Sequence, residues 1–374
     1  MNNTNYRAFF DLLKAGLWEN GVQLAFPKDL DFASVLKIAE EQSVVGLIAA
    51  GIEHISDRQI SKEDILQVVG QALQLEQRNK EMNAFVGNMI ENLRRGGIYA
   101  LLVKGQGIAQ CYERPLWRSS GDIDLLLSPE NYQKAKIFLS TLSTKIDNED
   151  IKFRHMSMDI DGWEVELHGS LRTGLWKSLD RGIDVVLEDV FYGGNVRTWI
   201  NVKTQVFLPR ADEDIILVFS HILQHFFREG VGLRQICDWC RLLWKYGDSI
   251  DNRLLENRLK SMNILSEWKA FAAIAVNYLG MQEESIPFYS AKRKWRMKAD
   301  KIMAFVLETG NFGHNRDYSY YKKYPYLVFK MISFWRHSKD GFKYFQVFPL
   351  DSIKVTWRKF VVGISVTLQG KRHE

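Results

Sequence analysis

Two aspartates lie two residues apart against a run of leucines in Gly121-Asp122-Ile123-Asp124-Leu125-Leu126-Leu127. The alternation of a strand puts Asp122 and Asp124 on one face, and the leucines mark that strand as buried. Two carboxylates at the lip of a buried strand repel each other unless a cation lies between them. Mg²⁺ held by one or two carboxylates plus substrate phosphates is the usual resolution. The pair alone also admits a plainer reading, a hairpin edge with two solvated acids.

Neighbouring segments weigh against the plainer reading. Ile98-Tyr99-Ala100-Leu101-Leu102-Val103 reads as a buried strand. Lys104-Gly105-Gln106-Gly107 then turns the chain into a helix expected to end near Tyr112. Gly105 permits close backbone approach, the helix start offers free N–H groups, and Lys104 adds a cation suited to phosphate. Arg118, Ser119, Ser120 and Gly121 lead into the aspartates with a guanidinium and two hydroxyls. Further on, His155–Ile160 and Trp163–His168 read as strands joined by Asp161-Gly162, a hairpin signal. The second strand places Glu164, Glu166 and His168 on one face. Three carboxylates on adjacent strands can hold two metal ions, which activate an attacking oxygen and neutralise a leaving pyrophosphate.

This order of strand, glycine at a helix start, Asp-x-Asp and a third acid on a later strand resembles the nucleotidyltransferase fold of the DNA polymerase β superfamily. Leu102-Val103-Lys104-Gly105-Gln106-Gly107, Arg118 to Leu127 and Val165-Glu166-Leu167-His168-Gly169 are similar to a bacterial family called uncharacterised nucleotidyltransferase. So are Leu208-Pro209-Arg210-Ala211-Asp212-Glu213-Asp214, the following His221 and His225, and Cys237-Asp238-Trp239. The likeness runs from about Leu36 to Tyr278. It implies an α+β fold, a mixed nucleotidyltransferase sheet embedded between N- and C-terminal helical regions. It also implies Asp122, Asp124 and Glu166 as catalytic metal ligands for two Mg²⁺ ions, with Mn²⁺ as the alternative. Lys104, Gly105, Arg118, Ser120 and Gly121 would bind the triphosphate of an NTP substrate. Glu164 competes with Glu166 for the third acid, and Glu166 fits the family's Glu-Leu-His. One departure stands out: the superfamily's turn is usually Gly-Ser or Gly-Gly, and here it is Gly105-Gln106, so a serine hydroxyl for phosphate is missing and Lys104 or Arg118 would substitute. The implied reaction moves a nucleoside monophosphate from NTP to an acceptor hydroxyl with release of pyrophosphate. The acceptor is open among a small molecule, a peptide, a protein and RNA, and no DNA sequence recognition is expected. The alternative is a non-catalytic nucleotide-binding or regulatory module on the same scaffold.

Elsewhere the patterns are mainly helical. Four regions are expected: a helical region over 1–95, closed by Arg94-Arg95-Gly96-Gly97; an α/β domain over 96–210; a helical domain over 211–310; and a tail over 311–374. Within the α/β domain, Asn131–Leu142 reads as a helix, Phe191-Tyr192-Gly193-Gly194 as turn and Thr198–Leu208 as strand material. His221 and His225, four apart on a helix, could line the cleft, cap the core or join Cys237 and Cys240 in a zinc site, but cysteines in an apolar helical pattern are core residues by default. His168 is a candidate base, phosphate donor or supporting residue beside the third acid. Asp238 is expected to pair with Arg234 or Arg241.

Charge is unevenly spread. Residues 291–374 hold 18 Lys and Arg against 6 Asp and Glu, a net +12, while residues 1–290 carry a net −7. The tail holds 15 aromatic residues, interleaved with cations at Tyr318–Tyr324, Phe334–Arg336 and Trp357–Phe360, without strong periodicity. Such a segment can stack nucleobases, lie weakly on an anionic membrane or finish the core. Three cysteines exclude a disulfide scaffold. No apolar stretch is long enough for a membrane span, and a cytoplasmic protein is expected.

Overall fold

The computed structural model describes residues 3–19, 30–55, 60–313, 315, 324 and 326–368. The first helices are α1 (Asn3–Trp18), α2 (Phe32–Glu41), α3 (Val45–Ile52) and the 34-residue α4 (Lys62–Arg95). α4 starts at Ser61, whose side chain accepts from the Asp64 N–H. Glu63 and Asp64 occupy its first turn and Arg94 and Arg95 its last, each sign matching the helix dipole. Gly97, at φ +68°, turns the chain out of the helix.

Beyond it, β1 (Leu101–Val103), β2 (Ile123–Leu126), β3 (Lys145–Ile146), β4 (His155–Ile160), β5 (Trp163–His168), β6 (Arg197–Asn201) and β7 (Thr204–Leu208) form one sheet in the order β3-β4-β5-β2-β1-β7-β6. β2 runs parallel to β5 and β1 parallel to β7, and the other pairs are antiparallel. The connections include α5 (Gly105–Ala109), α6 (Pro129–Ser140) and α7 (Lys177–Tyr192). This is the expected α+β architecture with a mixed sheet.

Three local expectations need correction. β1 starts at Leu101 rather than Ile98, and α5 stops at Ala109 rather than near Tyr112. Thr198–Leu208, expected to be strand material, falls in the hairpin of β6 and β7, turning at Val202 with φ 57°. Phe191 and Tyr192 are not turn residues: they close α7, whose Leu179, Ile183, Val186, Leu187 and Val190 are buried at helical spacing.

The rest is helical: α8 (Ala211–Arg228), α9 (Leu233–Tyr246), α10 (Asn252–Ser261), α11 (Leu265–Asn277), α12 (Arg293–Thr309), α13 (Tyr326–Phe345) and α14 (Pro349–Leu368). The tail segment Tyr318–Lys323 lies outside the described residues.

Strand alternation divides the apolar residues between two cores. Ile123, Leu125, Leu127, Val165 and Leu167 pack with the second half of α4 and with Tyr132, Ala135 and Leu139 of α6. Val103 and Leu126 belong to the larger core built from α1–α3 and α7–α12. Asp124, flanked by Ile123 and Leu125, must therefore face the helical side.

α1 and α3 cross at backbone contact. A Cβ on Gly51 would fall 2.1 Å from the Leu12 carbonyl oxygen, and one on Gly16 would fall 1.9 Å from that of Leu47. Both obstacles are main chain and neither can rotate away. Gly51→Ala is expected to lower stability by about 1–3 kcal/mol through overpacking, read as a lower urea midpoint at unchanged m-value.

Candidate active site

Parallel pairing of β2 with β5 sets Asp124 directly beside Glu166. Asp122 lies just before β2, and carboxylate oxygens of Asp122, Asp124 and Glu166 all fall within 4.8 Å of one another. Asp124 is buried, while Asp122 and Glu166 are half-buried. Such a cluster needs compensating charge, and Lys104 and His168 lie against it. Lys104 Nζ donates to Asp124 Oδ1 at 2.7 Å, and His168 Nε2 lies 2.7 Å from the same oxygen and 3.2 Å from Glu166 Oε2. His155 Nε2, across the β4–β5 hairpin, is also 3.2 Å from Glu166 Oε2. His155, Glu166 and His168 thus form a second set of metal-ligand atoms sharing Glu166.

These contacts polarise the acids differently. The neighbouring Asp124 charge and burial push Asp122 up to about 6. Burial also opposes ionisation of Asp124, but Lys104 and His168 outweigh it and hold Asp124 below the usual carboxylate range. Glu166 is held low against its own burial by hydrogen bonds from His155 and His168. For His168, burial and Lys104 favour the neutral ring, but Asp124 and Glu166 prevail and raise it.

Lys104 occupies the turn between β1 and α5 with φ 55° and ψ −143°, a costly conformation for a residue with a Cβ. Gly105 follows at φ +32°. Together with Asp122 and Asp124 they line a small solvent-connected cleft of about 40 Å³, whose other walls include Arg118, His221, Arg234 and Asp238. His221 is pushed well below its ordinary value by burial and by nearby Lys104, so its ring is neutral at pH 7. Its Nε2 lies 3.0 Å from that of His225. Cys237 and Cys240 are fully buried in the core, and among the described residues neither they nor His221 and His225 belong to a group able to hold a metal.

Arg118 lines the cleft and is held by an acid. Its guanidinium forks onto Asp238 at 2.9 and 2.7 Å and also donates to the Ser119 carbonyl and to Ser120 Oγ. Asp238 additionally accepts from the Tyr112 hydroxyl at 2.8 Å. Arg118 is the hydrogen-bonded partner of Asp238, whose charge also acts on the neighbouring Arg234, while Arg241 is drawn to the Cys111 and Leu17 carbonyls and to Glu113. Ser120 is committed to Arg118, and Gly121 stands in open space. Glu164, exposed and bonded to Ser157, stays outside the carboxylate cluster.

Gln106, the departure from the superfamily's turn, is absent from the cleft lining. Its amide donates to Asn79 of α4, and Asn79 in turn holds the Leu116 and Arg118 carbonyls. The side chain therefore braces the wall behind the site. His155 is the residue that the strand pattern could have identified: counting back from Asp161-Gly162 pairs it with His168.

Breaking the Arg118–Asp238 pair leaves a buried guanidinium without its counter-ion. Asp238→Ala is expected to cost about 3–5 kcal/mol, while the double change Arg118→Met with Asp238→Leu recovers most of it; urea unfolding of the three proteins measures both.

Residues 28–280 match the family described as uncharacterised nucleotidyltransferase. No curated protein and no solved structure matches the chain at a significant level. The matched span contains the β1–α5 turn, all three clustered carboxylates and the α8–α9 wall of the cleft, and the chain belongs to this nucleotidyltransferase family.

Proposed function

We propose that the chain transfers a nucleoside monophosphate from an NTP to an acceptor hydroxyl, releasing pyrophosphate. The observation that carries this reading is the convergence of Asp122, Asp124 and Glu166 within 4.8 Å, with Asp122 and Asp124 lining the cleft. The donor set suits a hard divalent cation, since all three ligands are carboxylates. Asp124 Oδ2 is moreover buried without a hydrogen-bond partner, an atom that a bound ion would satisfy. Mg²⁺, or Mn²⁺ in its place, would supply activation of the acceptor oxygen and neutralisation of the developing pyrophosphate charge.

The protein's own groups do the positioning. Lys104 brings a positive charge to the phosphate side of the carboxylates, from a backbone conformation that aims it there. His168 bonds Asp124 and Glu166 together and fixes how they present their oxygens. Arg118, forked onto Asp238, shapes the wall of the cleft beside the carboxylates. The α8 and α9 side of the cleft faces the reacting groups and would select the acceptor, whether small molecule, peptide, protein or RNA.

Calorimetric titration with each NTP in Mg²⁺ tests the first step, and transfer of α-³²P-labelled nucleotide to an acceptor tests the second. Asp124→Asn is expected to reduce transfer by at least ~10³-fold with the fold intact by circular dichroism. Equal transfer by wild type and variant would remove these carboxylates from the chemistry. NTP binding without transfer to any acceptor would leave a regulatory module.

Metal affinity should also follow the protonation of Asp122. Its carboxyl, raised to about 6, holds a proton below that pH, and the proton must leave before the oxygen can ligate. Mn²⁺ affinity is therefore expected to fall about tenfold from pH ~7 to pH ~5. Asp122→Asn should flatten that profile as well as weaken binding, which paramagnetic relaxation of water protons would report.

A further inference from the structure

Among the described side chains, α13 buries Asp340 and Tyr344 and α14 buries Ser352 and Val355, and each helix leaves an apolar face in solvent. On α13, Val328, Met331, Trp335, Phe342 and Phe345 are exposed, Trp335 at 76% and Phe342 at 65%. Their separations of three, four, seven and three residues gather them into a stripe about 100° wide. Asp340, Tyr344, Val347 and Phe348, which are buried, lie on the opposite side of the hairpin. α14 repeats the pattern: Leu350, Ile353, Trp357 (67%) and Phe360 are exposed at spacings of three, four and three, opposite buried Ser352 and Val355. Apolar residues needed only for the core have no reason to recur at helical spacing on the face turned away from it.

We propose that these two stripes form a docking surface for an anionic lipid bilayer, which the helices meet lying in the plane of its interface. Three observations select this occupant. Residues 311–374 carry 12 Lys and Arg against 4 Asp and Glu, whereas residues 1–290 are net negative, so attraction to an anionic surface acts on this segment and orients the molecule. The exposed side chains are tryptophan, phenylalanine, methionine, leucine, isoleucine and valine, the composition of a helix that inserts its apolar face between headgroups. Finally, no described helix is long and apolar enough to cross a membrane, which leaves the interface as the depth the stripes can reach. A second copy of the chain is a poor occupant, because it would bring the same net positive segment against its own kind.

The hairpin is anchored for this role. On its inner side Tyr344 and Phe348 pack edge-on or tilted against Phe226 and Phe227 of α8. Lys343 bonds Glu308 of α12, and Arg358 Nη1 lies 3.8 Å from Asp180 of α7. Docking would thus need no unfolding of α13 or α14, and it would hold the helical wall of the cleft at a membrane surface.

The test is co-sedimentation of the full chain with vesicles of phosphatidylglycerol and phosphatidylcholine, and with vesicles of phosphatidylcholine alone. Wild type is expected to bind the anionic vesicles at least about tenfold more tightly, with binding falling as NaCl rises from about 50 to about 500 mM. Trp335→Ser with Phe342→Ser and Trp357→Ser should abolish that binding. Thermal unfolding and Mg²⁺-dependent NTP binding should stay as in wild type, since all three side chains are exposed and none lines the cleft. Equal affinity for neutral and anionic vesicles, or unaltered binding by the triple variant, would overturn the proposal. So would a wild-type dimer that the triple variant dissolves, which would assign the stripes to self-association.

Discussion

Coulomb repulsion among Asp122, Asp124 and Glu166 governs the arrangement of the sheet's helical face. Three carboxylates within 4.8 Å cannot all ionise in a half-buried setting without positive charge at contact distance. Lys104 and His168 both converge on Asp124 Oδ1. The strained backbone at Lys104 becomes intelligible on the same ground, since a turn that aims an ammonium into the cluster recovers its conformational cost electrostatically. The cluster still presents an oxygen to a metal, because Asp124 Oδ2 is buried with no hydrogen-bond partner among the described residues.

The helical regions do more than surround the sheet. Arg118 joins the segment before β2 to Asp238 on α9, and the Gln106–Asn79 contact joins α5 to α4. Both couplings are buried and polar, so geometry fixes them more narrowly than apolar packing would. They place the α8–α9 wall opposite the carboxylates and make the cleft a joint product of sheet and helices. The Gly-Gln turn is thereby explained as bracing, and its departure from the superfamily's pattern leaves the carboxylate chemistry untouched.

Much of this was legible before any coordinates. The β4–β5 hairpin was readable to the residue, because alternation and a two-residue Asp-Gly turn admit one register. The C-terminal end of α4 was equally clear from Arg94-Arg95-Gly96-Gly97. α7 was missed although Leu179, Ile183, Val186, Leu187 and Val190 have helical spacing; the Gly193-Gly194 pair drew Phe191 and Tyr192 into a turn they do not form. The tail showed its charge and aromatic content, but its weak overall periodicity hid two helices. Each nevertheless carries a one-sided apolar stripe, Val328 to Phe345 on α13 and Leu350 to Phe360 on α14, which counting at helical spacing within those segments picks out.

By itself, the sequence determined that Asp122 and Asp124 share a face, that Glu166 and His168 share another, and that Lys104-Gly105 follows a buried strand. These are consequences of a two-residue period and of local turn chemistry. Only the tertiary structure decided that β2 and β5 are neighbours, which brings Glu166 and not Glu164 to the aspartates. It likewise decided that Arg118 belongs to Asp238, that His155 reaches Glu166, and that the apolar stripes of α13 and α14 stand exposed among the described residues. The reason is common to all of these: strand order and partner choice depend on contacts between residues far apart in the chain, and local patterning carries no record of which distant element comes to lie beside which.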